Sequence, residues 1–282
     1  MSVHISTSVD DVLETLSTQK DATILAGGTD LLVEINFGRI RPTHIVAIDR
    51  LDELKQLSRN GHVRMGAGVT YTKMLESDAG SPALQEAART IGSPQIRNTA
   101  TIGGNLGTCS PAGDALPVLA ALDATVVLRS KSGERRVTFG EFMTGPKKSL
   151  RRPDELIVAT EWDDAGAAQT YMFAATRNAM AISIAGLALV VDRARGRVGV
   201  ALGSCGPTII RAAEAERFAA GLFEESGWDR PARPSQAAAQ EFGRLAAGAA
   251  KPIDDVRGTA AYRRHVLAVM GARALARVAV IP

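Results

Sequence analysis

Two short stretches carry residue types suited to holding an anion: Leu25-Ala26-Gly27-Gly28-Thr29-Asp30-Leu31 and Ala100-Thr101-Ile102-Gly103-Gly104-Asn105-Leu106. Each pairs adjacent glycines with small hydroxyl, amide or carboxylate side chains, directly after an apolar run. Adjacent glycines admit positive φ and let an anion reach peptide N–H groups without meeting a side chain. A helix starting at either place would add its dipole. A lone Gly-Gly pair is most often a tight connection, whereas two such loops suit a dinucleotide whose pyrophosphate is clamped from both sides. The nicotinamide alternative fits poorly, because Asp49 ends a strand after Gly28 but the G-x-G-x-x-G spacing is missing. The P-loop pattern G-x-x-x-x-G-K-[ST] is missing as well, which disfavours a nucleotide triphosphatase.

The elements around these loops follow from apolar periodicity. Ser8 caps a short helix through Leu16, a strand covers Ala22 to Ala26, and a helix begins at Leu31 with Thr29 or Asp30 as its cap. The run His44 to Asp49 reads as a buried strand, so the first fifty residues form a small βαβ unit. After a turn at Asn60-Gly61, Val63 to Val69 is a strand and Thr70 caps a helix through Met74. Another helix starts at Ser81-Pro82. Gly92 to Asn98 is expected as a loop delivering the second glycine pair, Ala115 to Leu122 as a helix, and Ala124 to Arg129 as a strand. Gly145 to Glu155 is expected as a surface loop before a strand from Leu156 to Trp162. The small polar run Asp163 to Ala167 marks a domain boundary. Beyond it three strands (Tyr171 to Thr176, Ala181 to Asp192, Arg197 to Gly203) precede three helices, the pattern of an α+β domain.

Composition narrows the function classes. The chain has 282 residues, enough for two domains. Its net charge of +3 arises from 33 Lys+Arg dispersed among 30 Asp+Glu, and aromatics make up 4%. Nucleic-acid binding would need a basic stripe with interleaved aromatics, so no nucleic-acid partner is expected. Cys109 and Cys205 are too few for an iron–sulfur cluster or a zinc site, so no metal is expected on this chain. The sequence shows neither a secretory leader nor a membrane-spanning run, and a cytoplasmic protein without membrane insertion is the expectation. His4, His44, His62 and His265 fall at a terminus, a strand start, a turn and a helix, and read as structural or surface residues. Cys109 reads as a small packing residue, with oxidation sensitivity as the alternative.

Taken together, Leu25 to Leu32 and Gln95-Ile96-Arg97-Asn98-Thr99-Ala100-Thr101-Ile102-Gly103-Gly104-Asn105-Leu106 resemble the FAD-binding subunit of molybdenum hydroxylases. This group contains the medium subunit of aerobic carbon monoxide dehydrogenase and the flavin domain of xanthine dehydrogenase. The resemblance continues through Gly113 to Leu119, Arg152 to Ile157 and Asp255 to Arg264, and so spans nearly the whole chain. It implies an α+β architecture: a PCMH-type, vanillyl-alcohol-oxidase-like FAD domain over residues 1–165, with subdomains of about 1–55 and 56–165, then a carbon monoxide dehydrogenase flavoprotein C-terminal-like domain over 166–282.

Carried over by position, the resemblance places the FAD pyrophosphate on Ile24, Leu25, Ala26, Gly27, Gly28, Thr29, Asp30 and Leu31 and on Thr101, Ile102, Gly103, Gly104 and Asn105. Thr108, Ser110 and Asp114 would hydrogen-bond the cofactor, and Ile91 and Leu156 would line its rings. Read from the residues alone, Asp114 has a rival role in the first turn of the next helix. Phe173 and Ala181 stand where relatives usually carry a lysine and an aspartate flanking the arginine that matches Arg177. Arg257, Tyr262, Arg263 and Arg264 read either as a subunit contact or as a basic helix face.

No catalytic acid–base pair stands out, so electron transfer through flavin is the expected role. The resemblance implies a small [2Fe–2S] subunit that donates electrons and a large molybdopterin subunit that hydroxylates substrate, assembled as a dimer of heterotrimers. NAD+ or another carrier would accept the electrons, and Ser110-Pro111-x-Gly113-Asp114 leans toward purine or other N-heterocycle hydroxylases. The competing readings are a self-sufficient FAD oxidase and an assembly module that has lost its cofactor.

Overall fold

A computed structural model describes residues 1–77, 81–177 and 180–281. The first part holds β1 (Ser2–Ile5), α1 (Val9–Thr18), β2 (Thr23–Leu25), α2 (Leu31–Asn36) and β3 (His44–Ala47). The three strands form a parallel sheet in the order β1-β3-β2. The sequence reading lacks β1, whose four residues are all exposed and so carry no buried alternation. Ser8 caps α1 as expected, its Oγ accepting from the Asp11 amide at 3.1 Å. Val12, Leu13 and Leu16 then pack with Val46, Leu54 and Val158 in one small core.

Next come β4 (Leu57–Arg59), β5 (His62–Gly66), α3 (Tyr71–Glu76), α4 (Pro82–Thr90), α5 (Pro94–Thr99), α6 (Ile102–Thr108) and α7 (Ala115–Ala121). They are followed by β6 (Thr125–Ser130), β7 (Gly133–Thr138), α8 (Phe139–Phe142), β8 (Met143–Gly145), β9 (Lys148–Ser149) and β10 (Leu156–Asp163). Five of these strands make an antiparallel sheet, β4-β5-β10-β6-β7. Two expectations fail here. Residues 94–99 are the helix α5, not a loop; Pro94 at its first position and the Ser93 hydroxyl accepting from the Ile96 amide are its start signals. The segment before Leu156 is not all surface: Met143 to Ser149 pair as a short hairpin, and Glu155 is buried.

Glu155 explains that burial. Its carboxylate accepts from Arg135 Nε at 2.6 Å and Nη2 at 2.9 Å, and from the Arg152 amide at 2.7 Å. Desolvation pushes its pKa up, but the Arg135 and Arg152 donors outweigh it and hold the carboxyl below the ordinary glutamate range. A lowered folded-state pKa contributes stability that is present above the unfolded value and lost as pH falls through the folded one. Glu155→Gln is therefore expected to lower the urea midpoint at neutral pH and to flatten its decline into acid, measured across a pH series.

The last part holds β11 (Gln169–Ala174), β12 (Ala185–Asp192), β13 (Arg197–Gly203) and β14 (Ile210–Arg211), then α9 (Ala213–Ser226), α10 (Gln236–Gly248) and α11 (Ala260–Val278). The antiparallel sheet runs β11-β12-β13-β14, and the expected order of strands first and helices last is observed. Along β12, Ala188 and Val190 join the core of the preceding part, while Leu187, Leu189 and Val191 join the core under α9 to α11. Both faces are thus covered, which accounts for the unbroken apolar run from Ala185 to Val191 without polar alternation. The close fit to α7 requires glycine at 199, where an added Cβ would collide with the Ala121 carbonyl.

Candidate functional site

One large cleft, about 1520 Å³, opens where these parts meet. Of the residues singled out from sequence, Ile24, Ala26 to Leu31, Ile91, Thr101, Gly103 to Asn105, Thr108, Ser110, Asp114 and Leu156 all line it. Leu25 and Ile102 do not. Leu25 lies beneath the first loop, 3.4 Å from where a Gly28 Cβ would be, and Ile102 is fully buried in the central core.

The two glycine stretches differ in kind. The first is a true loop between β2 and α2. Gly28 takes a φ of +73°, the one positive φ among the four glycines. Gly27 serves contact instead, since a Cβ there would collide with the Thr99 carbonyl at the end of α5. Among the described residues, the amides of Gly27, Gly28, Thr29, Asp30 and Leu31 donate to no protein acceptor. The Asp30 side chain, at the cap position of α2, makes no capping bond and instead accepts from Thr108 Oγ1 at 3.3 Å.

The second stretch is not a loop after a strand. It is the first turn of α6, preceded by α5. Its amides are already engaged: Ile102 donates to Val69 O, Gly103 to Ala67 O, Gly104 to Thr101 Oγ1 and Asn105 to Thr101 O, at 2.9 to 3.1 Å. Gly103 lets the helix press on Ala67, where a Cβ would lie 2.5 Å from the Ala67 Cβ and 2.6 Å from its oxygen. What the first turn of α6 offers the cleft is the bare face of Gly104 and the Asn105 side-chain amide, whose Oδ1 is buried without a partner among the described residues. The two glycine stretches expected to clamp from both sides therefore contribute differently: five vacant amides on one, small side chains on the other. Buried polar groups are normally paired, so the orphaned Asn105 oxygen marks a place for a ligand's polar atom; the vacant amides, on half-buried and exposed residues, are donors left open to the cleft.

Asp114 sits at the start of α7, 8% exposed. It stands at the cap position of α7 without a side-chain cap bond. Its carboxylate accepts from Ser183 Oγ at 2.6 Å, Tyr171 Oη at 2.8 Å and Thr90 Oγ1 at 3.2 Å. Burial pushes its pKa up and these hydroxyls pull it back down, leaving it net raised.

Sequence reasoning missed other wall residues: Tyr71, Lys147, Arg151, Ile157, Ile182 and Lys251. They come from separate elements and form no local motif. Lys147 and Arg39 both pair with Glu34, at 2.9 and 3.3 Å, so these cations are neutralised within the rim. No histidine lines the cleft among the described residues. His4 and His62 pair with Asp11 and Asp163 on the surface. Cys109, in the left-handed conformation at the end of α6, is buried, and burial pushes its thiol up to about 11, which disfavours the thiolate. Phe173 stacks on Tyr171 with centroids 6.4 Å apart, Ala181 lines the cleft, and Arg177 bonds the Met180 carbonyl. Arg257, Tyr262, Arg263 and Arg264 do not form one basic face, because Arg263 points inward and is 4% exposed. No cluster of three or more His, Cys, Asp or Glu suited to a metal occurs among the described residues, nor is any described helix long and apolar enough to cross a membrane.

Residues 1–161 match the FAD binding domain in molybdopterin dehydrogenase, and residues 169–278 match the CO dehydrogenase flavoprotein C-terminal domain. The chain is 34% identical over 231 residues to the xanthine dehydrogenase FAD-binding subunit of Escherichia coli O157:H7, covering 77% of this chain and 78% of that protein. It is 30% identical over 281 residues to the glyceraldehyde dehydrogenase medium chain of Sulfolobus acidocaldarius, covering 96% of each. Among solved structures, a carbon monoxide dehydrogenase chain from Hydrogenophaga pseudoflava superposes with a TM-score of 0.86 at 27% identity, covering 99% of this chain and 98% of that one.

Proposed function

Because this chain belongs to the FAD-binding medium subunits of the molybdenum hydroxylases, we propose that its cleft holds FAD with the pyrophosphate on the Gly27 to Leu31 amides. The observation that carries this reading is the row of five vacant amides opposite Gly104 and Asn105. Peptide N–H groups at a glycine turn suit a diphosphate, and the bare Gly104 leaves room for it. Ile91 and Leu156 give apolar walls for the rings, and Thr108 and Ser110 give hydroxyls along the α6 to α7 turn.

Bound FAD supplies redox chemistry that moves electrons singly or in pairs. The chain's own part is to bind it, orient it and wall it from water. We read the chain as the electron-transfer subunit of an oxidoreductase complex, receiving electrons from a [2Fe–2S] subunit and delivering them to NAD+ or another acceptor. The substrate, a purine or other N-heterocycle, would be hydroxylated on a molybdopterin subunit in a dimer of heterotrimers. The names of the relatives and the Ser110-Pro111-x-Gly113-Asp114 form support this reading. The division at 1–165 and 166–282 is part of it, supported by the separate sheets on either side of Asp163 to Ala167. No feature of the cleft favours the self-sufficient oxidase.

The test is titration of the full chain, stripped of flavin, with FAD, followed by flavin fluorescence and absorbance. Saturable one-to-one binding is expected. A correctly folded chain that leaves FAD unbound at high micromolar concentration rejects the assignment.

A further inference from the structure

We propose that Tyr171 and Ser183, both from the C-terminal half, are positioning residues that hold the Asp114 carboxylate toward the cofactor, so that this half governs FAD affinity through hydroxyls. The inference rests on the reading of the cleft as an FAD site and goes beyond it, because neither residue follows from that reading.

A carboxylate has about four acceptor sites. At Asp114, Oδ1 takes two short bonds, 2.6 Å from Ser183 and 2.8 Å from Tyr171, while Oδ2 lies 3.2 Å from the Thr90 hydroxyl, whose one proton it shares with Ala87 O at 2.7 Å. Oδ1 is thus filled from the C-terminal half, and Oδ2 retains a free site on a side chain that lines the cleft. The carboxylate forms no ion pair among the described residues; hydroxyls alone hold it. A buried carboxylate without such donors would lose its charge or turn toward water.

Tyr171 is itself fixed. Its ring stacks almost parallel to Phe173, at an interplanar angle of 3°. Its hydroxyl occupies space left by Gly186, where a Cβ would lie 2.6 Å from Oη. Its amide donates to Glu86 Oε2 at 2.7 Å, and Glu86 pairs with Arg277 of α11 at 2.5 Å. A donor held this firmly dictates where the Asp114 carboxyl points. The stacking role of Phe173 gives a use to a position where the resemblance leads one to look for a lysine. The other titratable groups near Asp114 are the buried phenol of Tyr71 on α3, which has no partner, and, through Tyr171, the buried Cys205 thiol.

The test uses the full chain and FAD, with dissociation constants measured by flavin fluorescence across a pH series. A cofactor donor bound to Oδ2 needs the ionised carboxylate, so wild-type affinity is expected to fall as acid protonates Asp114. Hydroxyl donors favour the charged form, and their removal raises the pKa. Tyr171→Phe and Ser183→Ala are each expected to weaken FAD binding about tenfold and to move the pH midpoint upward. Asp114→Asn should abolish the pH dependence. A purely structural role would lower thermal stability and leave the midpoint in place. If Tyr171→Phe fails to fold, Ser183→Ala, which removes a single hydroxyl, decides the question. Wild-type binding with unchanged affinity and midpoint in the variants overturns the proposal while sparing the FAD reading. Failure of the wild type itself to bind FAD overturns both.

Discussion

Gly103→Val is expected to destabilise the chain strongly, whereas Gly104→Val should yield a protein of near wild-type stability with severely weakened FAD binding. The two residues are neighbours with the same formal motif role, but they meet different things. A side chain at 103 would enter the contact with Ala67, where the nearest atoms include backbone and the Gly103 amide already donates to Ala67 O. Backbone cannot turn aside as a side-chain tip can. Overpacking of this kind costs about 1–3 kcal/mol or more, a large share of the roughly 5–15 kcal/mol that holds a domain together. A side chain at 104 meets only Thr101 Oγ1, at 3.1 Å, and otherwise projects into the cleft. Urea denaturation and FAD titration of both variants separate the effects. Wild-type stability for the first would contradict the packing of α6, and wild-type FAD affinity for the second would contradict the clamp.

Arg263→Met should destabilise the protein by about 3–5 kcal/mol, the range for stripping one partner from a buried charged network. Arg263 Nη1 donates to Ile184 O at 2.5 Å and Ser204 O at 2.7 Å, and Nη2 donates to Asp255 Oδ1 at 2.6 Å. One guanidinium therefore ties α11 to the residue just before β12, to the residue just after β13 and to the turn at 255–258. Methionine fills the space but leaves two carbonyls unpaired. The Asp255 carboxylate keeps its bonds to the Arg257 and Gly258 amides, so the turn should loosen without disappearing. Denaturant unfolding measures the first effect. Faster amide exchange at Arg257 and Gly258 reports the second, and unchanged exchange would show that the turn does not depend on Arg263.

Much of this was legible in the residue order. Caps at Ser8, Thr70 and Ser81 place helix starts because a side-chain oxygen three residues before an amide is a local signal. The cleft residues near the glycine pairs came instead from the family resemblance, carried over position by position. Helix α5 was missed because Gly92 and Pro94 look like loop residues, although Ser93-Pro94 is a helix start. The burial of Glu155 was missed because its partner Arg135 lies twenty residues away, across a hairpin. Long-range pairing also hid the hydroxyls on Asp114, which arrive from α4, β11 and the segment before β12. Sequence reading treated Gly103 and Gly104 as equivalent, since nothing in a Gly-Gly pair tells which glycine presses on its own protein and which on a ligand.

The amides from Gly27 to Leu31 are neutral donors. Peptide dipoles have no proton to lose near neutrality, and among the cleft cations Arg39 and Lys147 are committed to Glu34. A diphosphate bound there would feel a field that stays the same from mildly acid to mildly alkaline solution. Binding through peptide donors would also be less sensitive to ionic strength than binding through exposed lysines. Any strong dependence of cofactor binding on acidity then points away from the diphosphate end of the cleft and toward the carboxyl at its floor.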